Sequence, residues 1–352
     1  MAAYFFDLDP AAMEAAVAGL GLTRLRARQV MEWVYRHGVA DPAKMTSLGK
    51  ADRQRLAEAM DFVRGQVIRE QLATDGTHKL LVQWSGTGGQ TECVMIPAEG
   101  RRTACISSQV GCPVGCRFCA SGLGGVEADL SPGQIVEQVW RLSHTADTKS
   151  AISHVVFMGM GEPLANFESV VAALRTLTAP WGMGISARRI TVSTVGLPAQ
   201  IRRLARIDLP VTLAISLHAP NDAIRREIIP WARFVSIEQI LDAGRDYFEQ
   251  TGREITLEYI LLRHVNDQAE HARELAEVAK TLRANVNLIR YNEVKGLPFD
   301  RPGTTDVREF QMILRRAGVN THIRRSRGRD IAAACGQLRH EAAAPPAMRG
   351  SA

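Results

Sequence analysis

The first sixty residues place their apolar side chains with the spacing of a helix. Over residues 8–62 the apolar positions recur three or four residues apart. The clearest of them are Met13, Ala16, Val17, Leu20, Val30, Trp33 and Val34. Asp9 directly before Pro10 predicts a helix start, with a capping carboxylate and a proline in the first turn. We therefore expect a small helical module at this end of the chain.

Between residues 66 and 97 the apolar spacing changes to two, the period of a half-buried β-strand. The alternating segments are GQVIREQLAT, HKLLVQW and TECVMIP. Asp75 and Gly76, and the SGTGG run at 85–89, supply the turn residues between them. We expect a small antiparallel sheet that links the helical module to the remainder of the chain.

From about residue 102 to residue 330, short apolar runs alternate with segments of helical length. The predicted strands are RTACISSQV, HVVFMGM, RITVSTVG, VTLAISLHA, ITLEYILL, VNLIRYN and NTHIRRS. Repeated strand–helix units predict a parallel sheet curled into a full or partial (β/α) barrel. The fold class is therefore α/β. The predicted divisions are a helical accessory module (1–65), a small β linker region (66–100), a partial barrel (101–338) and a disordered tail (339–352).

The composition is that of an ordinary folded protein. Of 352 residues, 46% are hydrophobic and 23% are charged, which argues against a disordered chain. Six cysteines are too few for a disulfide scaffold. No segment has the roughly 18–20 apolar residues of a membrane span, and the first residues lack the pattern of a secretory signal. We expect a cytoplasmic protein without membrane association, and the net charge of +6 favours a polyanionic partner.

The strongest chemical signal is the segment GCPVGCRFCASG, in which Cys112, Cys116 and Cys119 follow a C-x3-C-x2-C spacing. Three neighbouring thiolates can bind one face of a 4Fe-4S cluster, whose fourth iron then stays open for a substrate. The alternative is a zinc site with Cys105 as the fourth thiolate. Zinc sites usually combine two pairs of ligands that lie far apart in the sequence, and only one group of cysteines is present here. The spacing, directly after a first barrel strand, resembles that of the radical S-adenosylmethionine (SAM) enzymes. This resemblance implies a radical SAM partial barrel with one 4Fe-4S cluster, in which SAM is cleaved by one electron to a carbon radical.

Several other predicted strands change from apolar to small or hydrogen-bonding residues at their carboxyl ends. Barrel enzymes build their sites at these ends, so the residues would converge opposite the cysteine loop. The candidate SAM-binding residues are Gly161, Glu162, Ser193, Ser216, Leu217, His218 and Asn292. Gly161 would allow a close approach of the backbone, and Glu162 can accept a hydrogen bond from the SAM ammonium. Each residue alone has an ordinary loop or capping explanation, and only their correlation favours a site.

Two cysteines outside the triplet make the resemblance more specific. Cys105 precedes the triplet by seven residues, and Cys335 lies in the distant segment AACGQL, where a glycine follows it. Together with MGMGEPLAN, ITVSTVG and SLHAPND, that segment resembles the RlmN family. The resemblance extends over nearly the whole chain. It implies a dual-specificity radical SAM methyltransferase that methylates carbon 2 of adenine in 23S ribosomal RNA and in certain transfer RNAs.

The family pattern also implies a role for each thiol. Cys335 would be methylated by one SAM, and a radical made from a second SAM would remove a hydrogen atom from its methyl group. The resulting carbon radical would add to carbon 2 of adenine, and Glu92 would accept the proton. Cys105 would then attack the sulfur of Cys335, releasing the product and forming a disulfide. A solvated strand glutamate is the alternative reading of Glu92.

Two other functions remain open from the sequence. A Cfr-type enzyme would methylate carbon 8 of adenine, but that group tends to carry alanine where this chain has Pro163. A zinc-stabilised RNA-binding protein would perform no reaction. We expect an RNA-binding monomer that needs an external one-electron donor. The basic candidates for RNA contact are the helical module, Arg101 and Arg102, Arg188 and Arg189, and the run 322–329, all of which can equally be surface charge.

Overall fold

The computed structural model describes residues 2–86, 88–145, 151–282 and 284–338. The predicted tail, 339–352, lies outside the described residues. The strands are β1 Ala3–Tyr4, β2 Met60–Asp61, β3 Gly65–Leu72, β4 His78–Trp84, β5 Gln90–Ala98, β6 Arg101–Cys105, β7 Gln109–Gly111, β8 Val126–Asp129, β9 His154–Phe157, β10 Ile190–Thr194, β11 Thr212–Ser216, β12 Ile255–Leu261, β13 Asn285–Arg290 and β14 Thr321–Arg324. The α-helices are α1 Pro10–Gly19, α2 Arg24–Tyr35, α3 Lys50–Ala59, α4 Pro132–Ser143, α5 Phe167–Thr178, α6 Pro198–Ala205, α7 Asp222–Ile228, α8 Ile237–Thr251, α9 Ala269–Leu282 and α10 Thr304–Arg316.

The helical prediction for the first part of the chain is confirmed. Helix α1 begins as expected, because the Asp9 carboxylate accepts from the Ala12 backbone N–H at 2.8 Å and Pro10 occupies the first turn. The strand before α1 pairs with the strand after α3, as the short parallel pair β1–β2. The module shares its core with the barrel, since the Phe6 ring lies 5.7 Å from that of Trp140 on α4.

A ten-stranded sheet forms the centre of the molecule, in the order β14-β13-β12-β11-β10-β9-β6-β5-β4-β3. From β6 to β14 the paired strands of this sheet are parallel and alternate with helices, which confirms the predicted α/β partial barrel. Strands such as β11 and β12 are buried on both faces, as expected for a parallel sheet covered by helices.

The structure differs from the sequence prediction at two strands. The antiparallel strands β3–β5 do not form a sheet of their own, because β5 pairs with β6 and so extends the barrel sheet. The segment RTACISSQV is not one strand: β6 ends at Cys105, and β7 pairs with β8 in a separate two-stranded sheet. The break lets the Ser107 hydroxyl bond the Glu92 carbonyl at 2.7 Å. Consequently the cysteine loop follows β7 rather than a barrel strand.

A buried carboxylate connects the helical module to the barrel. Glu137 on α4 is fully buried and accepts hydrogen bonds from the backbone N–H groups of Arg64 and Gly65, at 2.8 and 2.9 Å. It also accepts from the Tyr4 hydroxyl and from Arg141 Nε, the latter at 2.6 Å. Four donors thereby satisfy the buried charge. Within the described residues, no helix has the length and apolarity needed to cross a membrane.

Candidate active site

The cysteine loop leaves β7 through a backbone turn that requires glycine. Gly111 has φ +75°, and a Cβ there would lie 2.0 Å from the Gly125 carbonyl oxygen. That carbonyl accepts from the Cys112 N–H at 2.8 Å, and the Cys119 N–H bonds the Cys116 carbonyl at 3.1 Å. These bonds fold the segment into a compact loop that carries all three thiols.

Two backbone contacts fasten this loop to distant elements. The Arg117 N–H donates to the Ile228 carbonyl at the end of α7, at 2.9 Å, and the Ala120 N–H donates to the Gly336 carbonyl at 2.8 Å. The loop is thus attached both to a barrel helix and to the segment that carries Cys335.

A cavity of about 150 Å³ brings most of the predicted site residues together. Its lining includes Cys112, Cys116, Cys119, Gly161, Glu162, Ser193, Ser216, His218 and Cys335. Besides burial, the charge of Cys119 raises the pKa of both Cys112 and Cys116, and the charge of Cys112 raises the pKa of Cys116. The three thiols therefore lie close enough to interact electrostatically. No three metal-binding side chains in the described residues surround one point suited to a single ion. In a cubane each thiolate binds a different iron, so three cysteines on one cavity wall are compatible with a 4Fe-4S cluster.

Glu162 braces two strand ends beneath this cavity. It is 4% exposed, and its carboxylate accepts from the backbone N–H groups of Leu164, at 3.0 Å, and Val195, at 2.8 Å. Burial raises the pKa of Glu162 to about 7, and these hydrogen bonds oppose the rise. Gly161 beside it has φ +101°, and a Cβ there would meet Ser108 Oγ at 2.7 Å. The space that a side chain at position 161 would need is therefore already filled by Ser108.

His218 is a neutral hydrogen-bond donor. The Ile260 N–H donates to its Nδ1 at 3.1 Å, so the ring proton lies on Nε2. Burial, assisted by the charge of Arg225, lowers the pKa of His218 to about 3. The ring lies edge-on to Phe118 of the cysteine loop, with centroids 5.1 Å apart.

Three further candidates differ in their placement. Ser193 and Ser216 share a hydrogen bond of 3.2 Å at the ends of β10 and β11, inside the cavity. Leu217 is fully buried and is not among the residues that line either cavity described here. Asn292 lines a neighbouring cavity instead, where its Nδ2 donates to the Cys335 carbonyl at 3.2 Å.

This neighbouring cavity is larger, about 400 Å³, and contains Cys105. Cys335 lines both cavities, so its thiol lies at their junction. Burial and the nearby Cys335 raise the pKa of Cys105 to about 12, which keeps that thiol protonated at neutral pH. Both cysteines are free thiols in the structure.

Arg324 brings a cation to both thiols. It lines the two cavities, and Cys335, followed by Glu258 and Cys105, raises the pKa of its guanidinium. Its Nη1 lies 3.2 Å from the Met158 sulfur and 3.9 Å from the Glu258 carboxylate. The charge of Arg324 opposes the rise that burial causes in the pKa of Cys105.

Glu92 lies apart from Cys335. It lines a third cavity, of about 200 Å³, beneath the segment 332–337, and is only 7% exposed. Its carboxylate forms an ion pair of 2.7 Å with Lys79, whose ammonium also donates to the Ala332 carbonyl at 3.2 Å. Glu92 is therefore a buried, ion-paired residue and not a solvated strand glutamate.

Sequence reasoning missed three residues that shape the site and named a fourth, Arg324, only within the basic run 322–329. Lys79 pairs with Glu92 from a neighbouring strand, and Arg324 lines the same cavity as Cys105 and Cys335. Arg225, on α7, donates to the Val195 carbonyl after β10. Asn266 is fully buried: its Nδ2 donates to the carbonyls of His218 and Ile260 at 2.8 and 2.7 Å. Asn266 lies in RHVND, directly after the apolar strand ITLEYILL. The change from apolar to polar residues, which identified the other strand ends, could therefore have identified Asn266 as well.

Comparison with known proteins assigns the chain to a family. A profile described as the radical SAM superfamily matches residues 106–276, and one described as the ribosomal RNA large subunit methyltransferase N-terminal domain matches residues 4–61. A relative from Gloeobacter violaceus, named a probable dual-specificity RNA methyltransferase RlmN, is 45% identical over 95% of this chain and 94% of its own. One of the same name from Rhodopirellula baltica is 44% identical over 91% and 86%.

The solved structures give the same result for the fold. The crystal structure of a radical SAM methyltransferase from Sphaerobacter thermophilus matches with a TM-score of 0.93 and 42% identity. The match covers 96% of this chain and 99% of the other. The radical SAM assignment and the preference for RlmN over a Cfr-type enzyme are both in line with these relatives. The chain therefore belongs to the RlmN family of radical SAM methyltransferases.

Proposed function

We propose that this methyltransferase transfers a methyl group from SAM to carbon 2 of adenine in 23S ribosomal RNA and in transfer RNA, with Cys335 as the carrier. The observation that carries the proposal is the position of Cys335 at the junction of two cavities. One cavity holds the cysteine triplet and the SAM candidates, and the other is open to a base. A thiol at this junction can receive a methyl group on one side and deliver it on the other.

Cys112, Cys116 and Cys119 would hold the 4Fe-4S cluster and leave one iron for SAM. When bound, the cluster supplies the electron that cleaves SAM to a carbon radical. The thiols are half-buried, and desolvation raises their pKa, which favours the protonated form without metal. Cluster binding would release those protons.

The remaining residues of the smaller cavity would bind SAM. The neutral His218 offers its Nε2 proton, and the paired hydroxyls of Ser193 and Ser216 offer donors and acceptors. Glu162, whose two oxygens already accept backbone N–H groups, has lone pairs left for the SAM ammonium. Gly161 lines the same cavity and would offer its backbone, whereas Leu217 and Asn292 lie outside this lining and would act through the backbone and through the Cys335 segment.

Carbon 2 of adenine lies between two ring nitrogens and is a poor nucleophile, so a direct methyl transfer fails. In the proposed sequence, Cys335 displaces a methyl group from one SAM, and its S-methyl then loses a hydrogen atom to the radical from a second SAM. The sulfur-bound carbon radical would add to carbon 2, and the adduct would then lose the carbon 2 proton to a base and one electron to the cluster that SAM cleavage had oxidised. Attack of Cys105 on the sulfur of Cys335 breaks the S–CH₂ bond, forms a disulfide and releases the methylated base after protonation.

Glu92 is the proposed acceptor of the carbon 2 proton. Because it lies under the segment 332–337, this role requires that segment to lift when RNA binds. The ion pair with Lys79 favours the carboxylate form that a base needs.

The larger cavity has the character of an RNA site. Four arginines line it: Arg101, Arg324, Arg325 and Arg327. Cations around a concave site can hold phosphates while an unstacked adenine enters. We propose that these residues, with Arg102, Arg188 and Arg189, supply salt-dependent affinity to a monomeric enzyme. An external one-electron donor and a reductant for the disulfide fit a reducing cytoplasm.

The proposal is tested by oxygen-free purification, followed by analysis of iron, sulfide, SAM cleavage and modified RNA. We expect four irons and four sulfides per chain, and 2-methyladenosine in the RNA by mass spectrometry. The Cys119→Ala variant should lose the cluster and all SAM cleavage, while Cys93→Ala, which removes a buried thiol outside both cavities, should keep them. Zinc in place of iron, or 8-methyladenosine alone, would overturn the proposal.

A further inference from the structure

The segment of chain that leads to the proposed methyl carrier is attached to the turn between β3 and β4, residues 73–77. The Gly328 N–H donates to the Asp75 carboxylate at 3.1 Å, and the Thr74 N–H donates to the Asp330 carboxylate at 2.9 Å. Each side contributes one carboxylate and one backbone N–H, so the two hydrogen bonds are reciprocal. They join positions 253 and 256 residues apart, so the contact is formed only by the tertiary fold.

Gly328 brings the backbone of this segment directly onto the turn. Its φ is +62°, and a Cβ there would lie 2.8 Å from the side chains of both Thr77 and Ala333. The neighbouring Arg327 adds a charge contact, with its Nη1 3.9 Å from the Asp75 carboxylate. The turn therefore holds the segment by packing, hydrogen bonds and charge at one place.

Apolar burial contributes little to this attachment. Residues 332–334 are all alanine, and Ala333 belongs with Cys105 to a small apolar cluster that it joins through one methyl group. Cys335 itself is held through its backbone, since its carbonyl accepts from Asn292 Nδ2 at 3.2 Å. Hydrogen bonds to the backbone, more than side-chain packing, therefore fix where the Cys335 thiol lies.

We propose that Asp75 and Asp330 are positioning residues for the methyl transfer: by fastening residues 328–330 to the β3–β4 turn, they keep the Cys335 thiol at the junction of the two cavities. The inference rests on the proposed function, in which Cys335 is the carrier. Neither aspartate lines either cavity, so both act through the backbone of the segment and not by touching SAM or the base. A thiol that leaves the junction loses the alignment with its reaction partners on which the rate depends.

The test measures how fast iodoacetamide alkylates Cys335 in the full-length protein, purified without oxygen and read by peptide mass spectrometry. For Asp75→Ala we expect the alkylation rate of Cys335 to rise about tenfold, the factor that corresponds to one lost hydrogen bond to a charged group. Asp330→Ala should give a smaller rise, because its hydrogen bond is exposed to solvent. Cys93 is fully buried in the core, and its alkylation in the same samples reports global unfolding, which should stay at the wild-type rate.

The matched control is Asp41→Ala. Asp41 also accepts a backbone N–H, that of Ala43 at 2.9 Å, and lies 3.9 Å from Lys44, but it belongs to the helical module. This variant should leave the Cys335 rate unchanged. Asp75→Asn keeps an oxygen that can accept from the segment, so it should restore a rate closer to the wild type than Asp75→Ala does.

Gly328→Ala tests the same contact without changing a charge. The added Cβ meets Thr77 and strains a positive φ, so the segment should be displaced and Cys335 alkylated faster. Wild-type rates at Cys335 in both Asp75→Ala and Asp330→Ala would overturn the inference. A rise shared equally by Cys335 and Cys93 would also overturn it, because the aspartates would then stabilise the whole fold and not position one thiol.

If the variants do not fold, hydrogen exchange in the wild-type protein decides. The amides of residues 74 and 328 should be protected, and exchange at the rate of an unbonded amide would refute both hydrogen bonds. A wild-type protein that never carries a methyl group on Cys335 would instead refute the proposed function, and the alkylation rates would still show whether the two aspartates hold the segment.

Discussion

Replacing Lys79 by methionine removes the cation beside the proposed base and keeps the length of the side chain. Lys79 and Glu92 are 7% and 9% exposed at their side chains and lie 2.7 Å apart, so solvent screens their attraction little. Removing one partner of a buried ion pair costs about 3–5 kcal/mol, a large part of the roughly 5–15 kcal/mol that stabilises a domain. The contact from Lys79 to the Ala332 carbonyl is lost as well.

The assays are chemical denaturation and methyl transfer to RNA. We expect Lys79→Met to unfold at a lower denaturant concentration and to transfer methyl groups more slowly, because the Glu92 carboxylate loses the ion pair that holds it in place. The double variant Lys79→Met with Glu92→Gln should recover part of the stability, since no charge remains in the pair, but none of the activity.

The matched control is Lys280→Met, which breaks an exposed pair with Glu277 of similar length, 2.8 Å. Exposed pairs contribute about 0–1 kcal/mol, so this variant should stay close to the wild type. If Lys79→Met unfolds together with Lys280→Met and transfers methyl groups at the wild-type rate, the ion pair neither stabilises the sheet nor supports the base.

Three other changes have distinct expected outcomes. Cys335→Ala should retain iron and SAM cleavage but carry no protein-bound methyl group in peptide mass spectrometry; methyl on another residue would contradict its role as carrier. Cys105→Ala should accumulate a covalent protein–RNA adduct, visible as a shifted band in denaturing gels, whereas normal turnover would exclude a resolving role. Asn266→Ala removes the side-chain hydrogen bonds to the Leu262 N–H and the carbonyls of His218 and Ile260. At about 1–3 kcal/mol for each buried group left unpaired, it should lower stability by at least about 3 kcal/mol and weaken SAM binding, and calorimetry that finds neither would contradict the bracing role.

The sequence predicted those parts of the site that depend on residues only a few positions apart in the chain. The C-x3-C-x2-C spacing brings three thiols into one loop whatever surrounds them, and the strand ends carrying Glu162 and His218 could be read from the change of residue type. Asn292 was placed correctly at a strand end but reaches the adjoining cavity, because its side chain bonds the Cys335 carbonyl. The side chain of Leu217 lies in the core, so its expected part in SAM binding stays a prediction that would involve the backbone.

The sequence by itself determined the alternation of strands and helices, the helical module and the cysteine triplet, because each depends on residues a few positions apart. Only the tertiary structure decided that β5 joins the barrel sheet, that Cys335 and Cys105 line one cavity although 230 positions separate them, and that Lys79 pairs with the buried carboxylate of Glu92. These contacts follow from strand order and from which side chains are buried together, and no local pattern encodes either. Buried charges in particular acquire their partners only when the sheet closes around them.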